Sequence, residues 1–133
     1  MAQSSKADPL RTASAIACGC LFITAGIFHF AKPQPFIKIV PEYIPFPEAA
    51  VYVSGVAEIA GGVGMMTSRW RRKASYGLIL LLLAVFPANI NMAVNKIDFG
   101  SIPHSFLWLR LPLQLILILW VRWSGTNNQR NYS

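Results

Sequence analysis

Residues 74–94 read ASYGLILLLLAVFPANINMAV, with an unbroken apolar run from Leu78 to Phe86. Such a run has no polar face to turn toward water, which is the pattern of a helix surrounded by other apolar groups or by lipid. At about 1.5 Å per residue, some 20 residues cross a hydrocarbon layer of about 30 Å. Three further stretches have the same character, and the expected spans are 13–31, 49–67, 74–94 and 106–123. The expected fold is therefore all-α: a polytopic membrane protein built as an antiparallel bundle of four transmembrane helices, residues 1–124. Short connections force consecutive helices to run in opposite directions. The remainder, 125–133, reads as a polar, mobile tail.

Composition agrees with lipid as the solvent. The chain has 133 residues, of which 54% are hydrophobic and 13% charged, with a mean hydropathy of +0.45. A soluble domain carries about 25% charged residues. Four spans leave no room for a soluble catalytic domain. The net charge of +7 does not point to nucleic acid, because the basic residues stand at the ends of apolar segments, where orientation determinants belong. Cys18 and Cys20 are two apart on one helix, roughly 200° around its axis, so they cannot bridge one another.

The first span has its small residues, Ala15, Ala17 and Gly19, in mid-segment rather than at its end, so it reads as an uncleaved span and not as a secretory signal. It stops at Lys32, where Pro33 and Pro35 follow. The connection 32–48 holds Pro33, Pro35, Pro41, Pro45 and Pro47 with Phe36, Ile37, Tyr43, Ile44 and Phe46 between them. It is too broken to span and too apolar to float in water, so it is expected to lie as a proline-rich interfacial hairpin between the first and second spans. In the second span Ala57 with Gly61, and Ala60 with Gly64, are small residues four apart that let helix backbones approach closely.

Charge sets the orientation. Lys6 and Arg11, then Arg69, Arg71, Arg72 and Lys73, then Arg122 and Arg130 fall on one side of a four-span chain. The other side carries Lys32, Lys38, Glu42 and Glu48 in one connection and Lys96, Asp98 and His104 in the other, nearly in balance. The basic side is expected to be the cytoplasm and the membrane the plasma (inner) membrane, with both termini cytoplasmic. Trp70, Tyr76, Trp108, Trp120 and Trp123 lie near span ends, as interfacial anchors do.

Polar groups inside spans are costly and mark a candidate site when partners can be named. They are His29, Ser54, Glu58, Asn89, Asn91, Arg110 and Gln114. Counting about 1.5 Å per residue from the non-basic end, Glu58 lies roughly 14 Å deep, Gln114 roughly 12 Å, Asn89 roughly 8 Å, Arg110 roughly 6 Å and His29 roughly 3 Å. A Glu58–Arg110 bridge, direct or through Gln114, is expected, since the long arginine stem can reach inward. Asn89 and Asn91 are two apart and cannot both point into the bundle. The cluster has two readings. In one it is interhelical glue; in the other it is a pocket opening between the second, third and fourth helices for the polar head of a quinone, with the proline-rich connection as its cover. His29 and His104 are also imidazoles able to ligate haem, although two scattered histidines are a weak signal. No Ser/His/Asp set, phosphate loop or zinc spacing is visible, so no catalytic constellation and no metal site is assigned.

Four stretches carry a family resemblance: GIFHFAKPQPFIKIVPEYIP from Gly26, SGVAEIAGGVGM from Ser54, AVFPANINMA from Ala84 and RLPLQLILILW from Arg110. Together they resemble the DoxX-like family of small four-helix membrane proteins. The resemblance implies a four-helix bundle. For some branches it also implies association with thiosulfate-to-quinone electron transfer or with oxidative-stress assemblies. A periplasmic cysteine pair of the thiol-redox kind is absent. Two functions are therefore expected: a non-catalytic accessory subunit, partnered by lipid and by other membrane subunits or a second copy, or a quinone-interacting subunit of an electron-transfer system.

Overall fold

The computed structural model describes residues 8–95 and 104–126. The elements are α1 (Pro9–Ala31), α2 (Gln34–Ile39), α3 (Pro47–Met66), α4 (Arg71–Val94) and α5 (His104–Gly125), with no strand among the described residues. α1 begins ahead of its apolar stretch because Asp8 accepts from the Leu10 amide at 3.0 Å and Pro9 follows it. A side-chain cap and a proline at the first position start a helix irrespective of hydropathy. α2 lies within the connection expected to be irregular. Pro33 and Pro35 stand at its N-cap and first turn, where a missing amide costs nothing. α3 starts the same way at Pro47, and Glu48 in its first turn complements the helix dipole.

The four long helices run antiparallel around a closed ring: α1 on α3, α3 on α4, α4 on α5, and α5 back on α1. The α1–α3 contact is the most extensive and is made of glycine. A Cβ on Gly19 would stand 2.5 Å from the Gly62 carbonyl oxygen, and one on Gly62 would stand 2.7 Å from that of Gly19. Gly26 and Gly55 repeat the arrangement at 2.7 and 3.1 Å. Within each helix the two glycines are seven apart, about two turns, so they share a face. Backbone meets backbone, as in helix pairs held by dispersion and Cα–H···O contacts.

This corrects the expectation built on four-residue spacing. Gly61 and Gly64 face Leu78 and Ala74 of α4, and Ala60 is exposed. Gly61 and Gly62 are neighbours about 100° apart on the helix, so one serves α4 and the other α1.

The apolar core, Ala15, Cys18, Phe22, Met65, Leu78, Leu82 and Val121, gathers in the half of the bundle that contains the α3–α4 turn. The outer surface is also apolar: Leu80, Leu119, Val53 and Ile116 are 60–68% exposed. α1, α3 and α4 are long and apolar enough to cross a membrane. α5 is equally long, at 22 residues, but includes Arg110, Pro112, Gln114 and Arg122. α5 runs through Gly125, which is buried and packs on Ser75. The tail beyond Thr126, the Lys96 and Asp98 positions and Lys6 lie outside the described residues.

Candidate functional site

At the end of the bundle that bears α2, His29 of α1 and Glu58 of α3 meet. His29 Nδ1 is 3.2 Å from Glu58 Oε2, and the two residues are 8% and 9% exposed. The expected partner of Glu58 was Arg110; the structure pairs it with His29. The reason lies in helix geometry. Side chains lean toward the N-terminus of their own helix. In an antiparallel pair they lean in opposite senses, so His29 and Glu58, on either side of the Gly26–Gly55 contact, lean toward each other. Gly55 makes room for this, since a Cβ there would lie 2.9 Å from His29 Cβ.

His29 Nδ1 also lies 2.7 Å from the Ala25 carbonyl. A carbonyl can only accept, so Nδ1 carries a proton and donates it there. Glu58 Oε2 consequently has a close nitrogen but no directed hydrogen bond, and it is buried. The Phe36 ring of α2 stacks on the imidazole, with centroids 3.9 Å apart and planes inclined by 19°. α2 thus covers the His29 side of the pair, whereas Tyr43 and Phe46, the other aromatics expected to form a cover, are each 72% exposed.

Gln114 forms a second pair on a different interface. Its Nε2 donates to the Leu82 carbonyl of α4, and its Oε1 accepts from Asn89 Nδ2. Pro87 within α4 leaves the adjacent Leu83 carbonyl without its helical amide. Gln114 thus bonds α4 at the carbonyl next to the one that Pro87 frees. Both ends of its amide are used and it is 5% exposed. Asn91 turns the other way, as its spacing from Asn89 requires, and donates to the Ile39 carbonyl of α2 at 3.0 Å. Ser54 is half-buried one turn before Glu58, and Arg110 stands at an exposed position one turn before Gln114. Five of the seven expected residues are thus distributed over three contacts: His29 and Glu58 at α1–α3, Asn89 and Gln114 at α4–α5, and Asn91 at α4–α2.

Phe36 is one of the aromatics expected in the cover, and its stacking on His29 is what the sequence does not tell. Sequence reasoning missed three backbone acceptors, those of Ala25, Ile39 and Leu82. Carbonyl partners leave no trace in residue identity. It also missed the polar seam at the opposite end. There Trp120 Nε1 donates to Ser14 Oγ at 2.7 Å, and the Ser14 and Ser124 hydroxyls are 2.7 Å apart. Trp120 is half-buried by this bond, so it ties α1 to α5; Trp70, Trp108 and Tyr76 are exposed as anchors would be.

For haem, His29 gives its Nδ1 proton to Ala25 and so has Nε2 as its lone-pair nitrogen, and the side chain of His104 lies outside the described residues. Among the described residues no three His, Cys, Asp or Glu side chains gather in a metal-binding group.

Neither a curated protein nor a solved structure matches the chain. A family model matches residues 18–124, which take in the His29–Glu58, Gln114 and Asn91 contacts but not Ser14. The chain belongs to the family described as Domain of unknown function (DUF8561).

Proposed function

We propose that the chain is an integral protein of the plasma (inner) membrane that crosses the bilayer four times, with both termini in the cytoplasm, and acts as a non-catalytic accessory subunit packed against other membrane subunits or a second copy. The observation that carries the subunit reading is Gln114: a buried amide bonded to α4 at both of its ends holds helices together. α5 as the fourth span is supported by its length, its antiparallel packing on α1 and α4, and its exposed Leu113, Leu115, Ile116 and Leu119. Alternation of the helices puts Arg11, Arg69, Arg72, Lys73 and Arg122 at one end, the asymmetry that orients a chain in the membrane. The exposed Tyr43 and Phe46 suit a proline-rich connection lying in the headgroup layer.

The test is native-size analysis of the protein extracted from its own membranes in mild detergent. Migration with a larger assembly is expected; a lone bundle at all detergent strengths overturns the subunit reading. Cysteines introduced at Ser68 and Ser101 should react from opposite faces, Ser68 from the cytoplasm, and labelling of both from outside overturns the topology.

One observation favours the second reading, a quinone-interacting subunit of the kind the DoxX-like resemblance suggests. Glu58 Oε2 is a buried acceptor without a hydrogen bond, and such a group is expensive unless something donates to it. A quinol hydroxyl is a donor of the right size. Lipid extraction of the purified protein followed by mass spectrometry tests this. Quinone present in wild type and Lys73→Ala but lost in Glu58→Leu supports it, and equal quinone in all three refutes it.

A further inference from the structure

At the basic end of the bundle a cavity of about 130 Å³ lies between α4 and α5, lined by Arg72, Ser75, Tyr76, Arg122, Gly125 and Thr126. That volume is well above the roughly 10–15 Å³ one water needs. The other described cations at this end are already engaged. Arg71 is buried and donates from Nε to the Met65 carbonyl at 2.7 Å. Arg11 donates to the Thr126 carbonyl at 3.0 Å, pairs with Asp8 at 4.0 Å and lies over the Trp123 ring. Arg69 and Lys73 lie over Trp70. Arg72 and Arg122 have no acidic partner among the described residues; their one ring contact is Arg72 over Tyr76 at 6.0 Å, the outer limit of a cation–π interaction.

We infer that this cavity is a binding site for a phosphate group, clamped between the Arg72 and Arg122 guanidiniums of adjacent helices, and that its occupant is the headgroup of an anionic phospholipid. Guanidinium forks match phosphate oxygens, and basic pockets between spans on the cytoplasmic side take anionic headgroups. The Tyr76 phenol at the cavity wall can add a neutral donor. The Ser75 and Thr126 hydroxyls already donate to the Arg72 and Arg122 carbonyls, at 2.7 and 2.6 Å, so they have no proton to give the phosphate and its recognition falls to the two guanidiniums. The unfavourable carbonyl end of α5 is offset by Arg11 on the Thr126 carbonyl. Gly125 lets α5 close on α4, because a Cβ there would collide with Ser75. The site lies away from the His29–Glu58 and Gln114 contacts; only its choice of a lipid source rests on the membrane reading.

Native mass spectrometry of the detergent-solubilised protein tests the inference, with phosphatidylglycerol, phosphatidylcholine or inorganic phosphate added in turn. Wild type should retain phosphatidylglycerol in preference to phosphatidylcholine, and excess inorganic phosphate should not displace it. At the usual strength of a basic residue near a headgroup, loss of both charges in Arg72→Gln/Arg122→Gln should weaken retention about thirty-fold. Arg69→Gln/Lys73→Gln should retain lipid like wild type. Arg72→Lys/Arg122→Lys should fall between, because it keeps charge without the fork. Equal retention in the Arg72→Gln/Arg122→Gln and Arg69→Gln/Lys73→Gln variants, with unchanged melting temperatures, overturns the site. Displacement of the lipid by inorganic phosphate at Arg72 and Arg122 keeps the phosphate chemistry but overturns the lipid as occupant.

Discussion

Replacing Gly62 by alanine adds one methyl group where α3 touches α1. That carbon would stand 2.7 Å from the Gly19 carbonyl oxygen, 2.8 Å from Ile23 Cγ1 and 3.1 Å from the Ile23 amide nitrogen. An ordinary carbon–oxygen contact is about 3.3–3.6 Å, so the helices must separate by about 0.6–0.9 Å. Two of the three neighbours are backbone and cannot rotate away. A gap of about 0.5–1 Å forfeits a quarter to a half of each dispersion contact along the seam, and overpacking of this kind costs about 1–3 kcal/mol. Alanine returns up to about 1 kcal/mol of helix propensity. Gly77→Ala isolates that return, since nothing lies within 4 Å of the position a Cβ would take. The two variants make the same chemical change, so their difference in stability is the packing cost alone, about 1–3 kcal/mol with Gly62→Ala the weaker. Thermal unfolding in detergent, followed in a Cys20→Ser background by reactivity of buried Cys18 with a thiol dye, measures it. If Gly62→Ala and Gly77→Ala unfold at the same temperature, the backbone seam between α1 and α3 does not exist as described.

Gln114→Leu should destabilise the bundle by about 0.6–2 kcal/mol, because it strands the Asn89 donor and removes the bond to the Leu82 carbonyl; Asn89→Leu/Gln114→Leu should recover part of that loss, and strictly additive unfolding would refute the coupling. Cysteines at Ser14 and Ser124, whose hydroxyls are 2.7 Å apart, should cross-link within one chain under mild oxidation in a Cys20→Ser background, whereas Ser14→Cys paired with Thr67→Cys should not. The gel shift of the linked chain checks the α1–α5 contact.

Hydropathy and proline spacing were enough to locate the four long helices to within a few residues. Those signals are local, since a run of aliphatic side chains and a missing amide act on the segment that contains them. They failed where local chemistry overrode hydropathy, at the Asp8–Pro9 start of α1 and at α2, whose prolines open a helix instead of breaking one. The polar residues of the candidate site were also legible as a set, because a carboxylate or an amide in an apolar helix stands out wherever it points.

Their partners were not legible. Glu58 was matched with Arg110 by depth and reach, but the structure brings it to His29. That choice depends on the rotation of α1 and α3 about their axes, which Gly19, Gly26, Gly55 and Gly62 set by allowing backbone contact on one face only. A spacing of four and a spacing of seven coexist in α3, and nothing in one chain's residue order says which faces which neighbour. The amino-acid sequence by itself determined where the helices lie and which polar groups they carry. Only the tertiary structure decided which of those groups meet, because pairing across a bundle follows from helix rotation and backbone approach, and both are properties of two helices together.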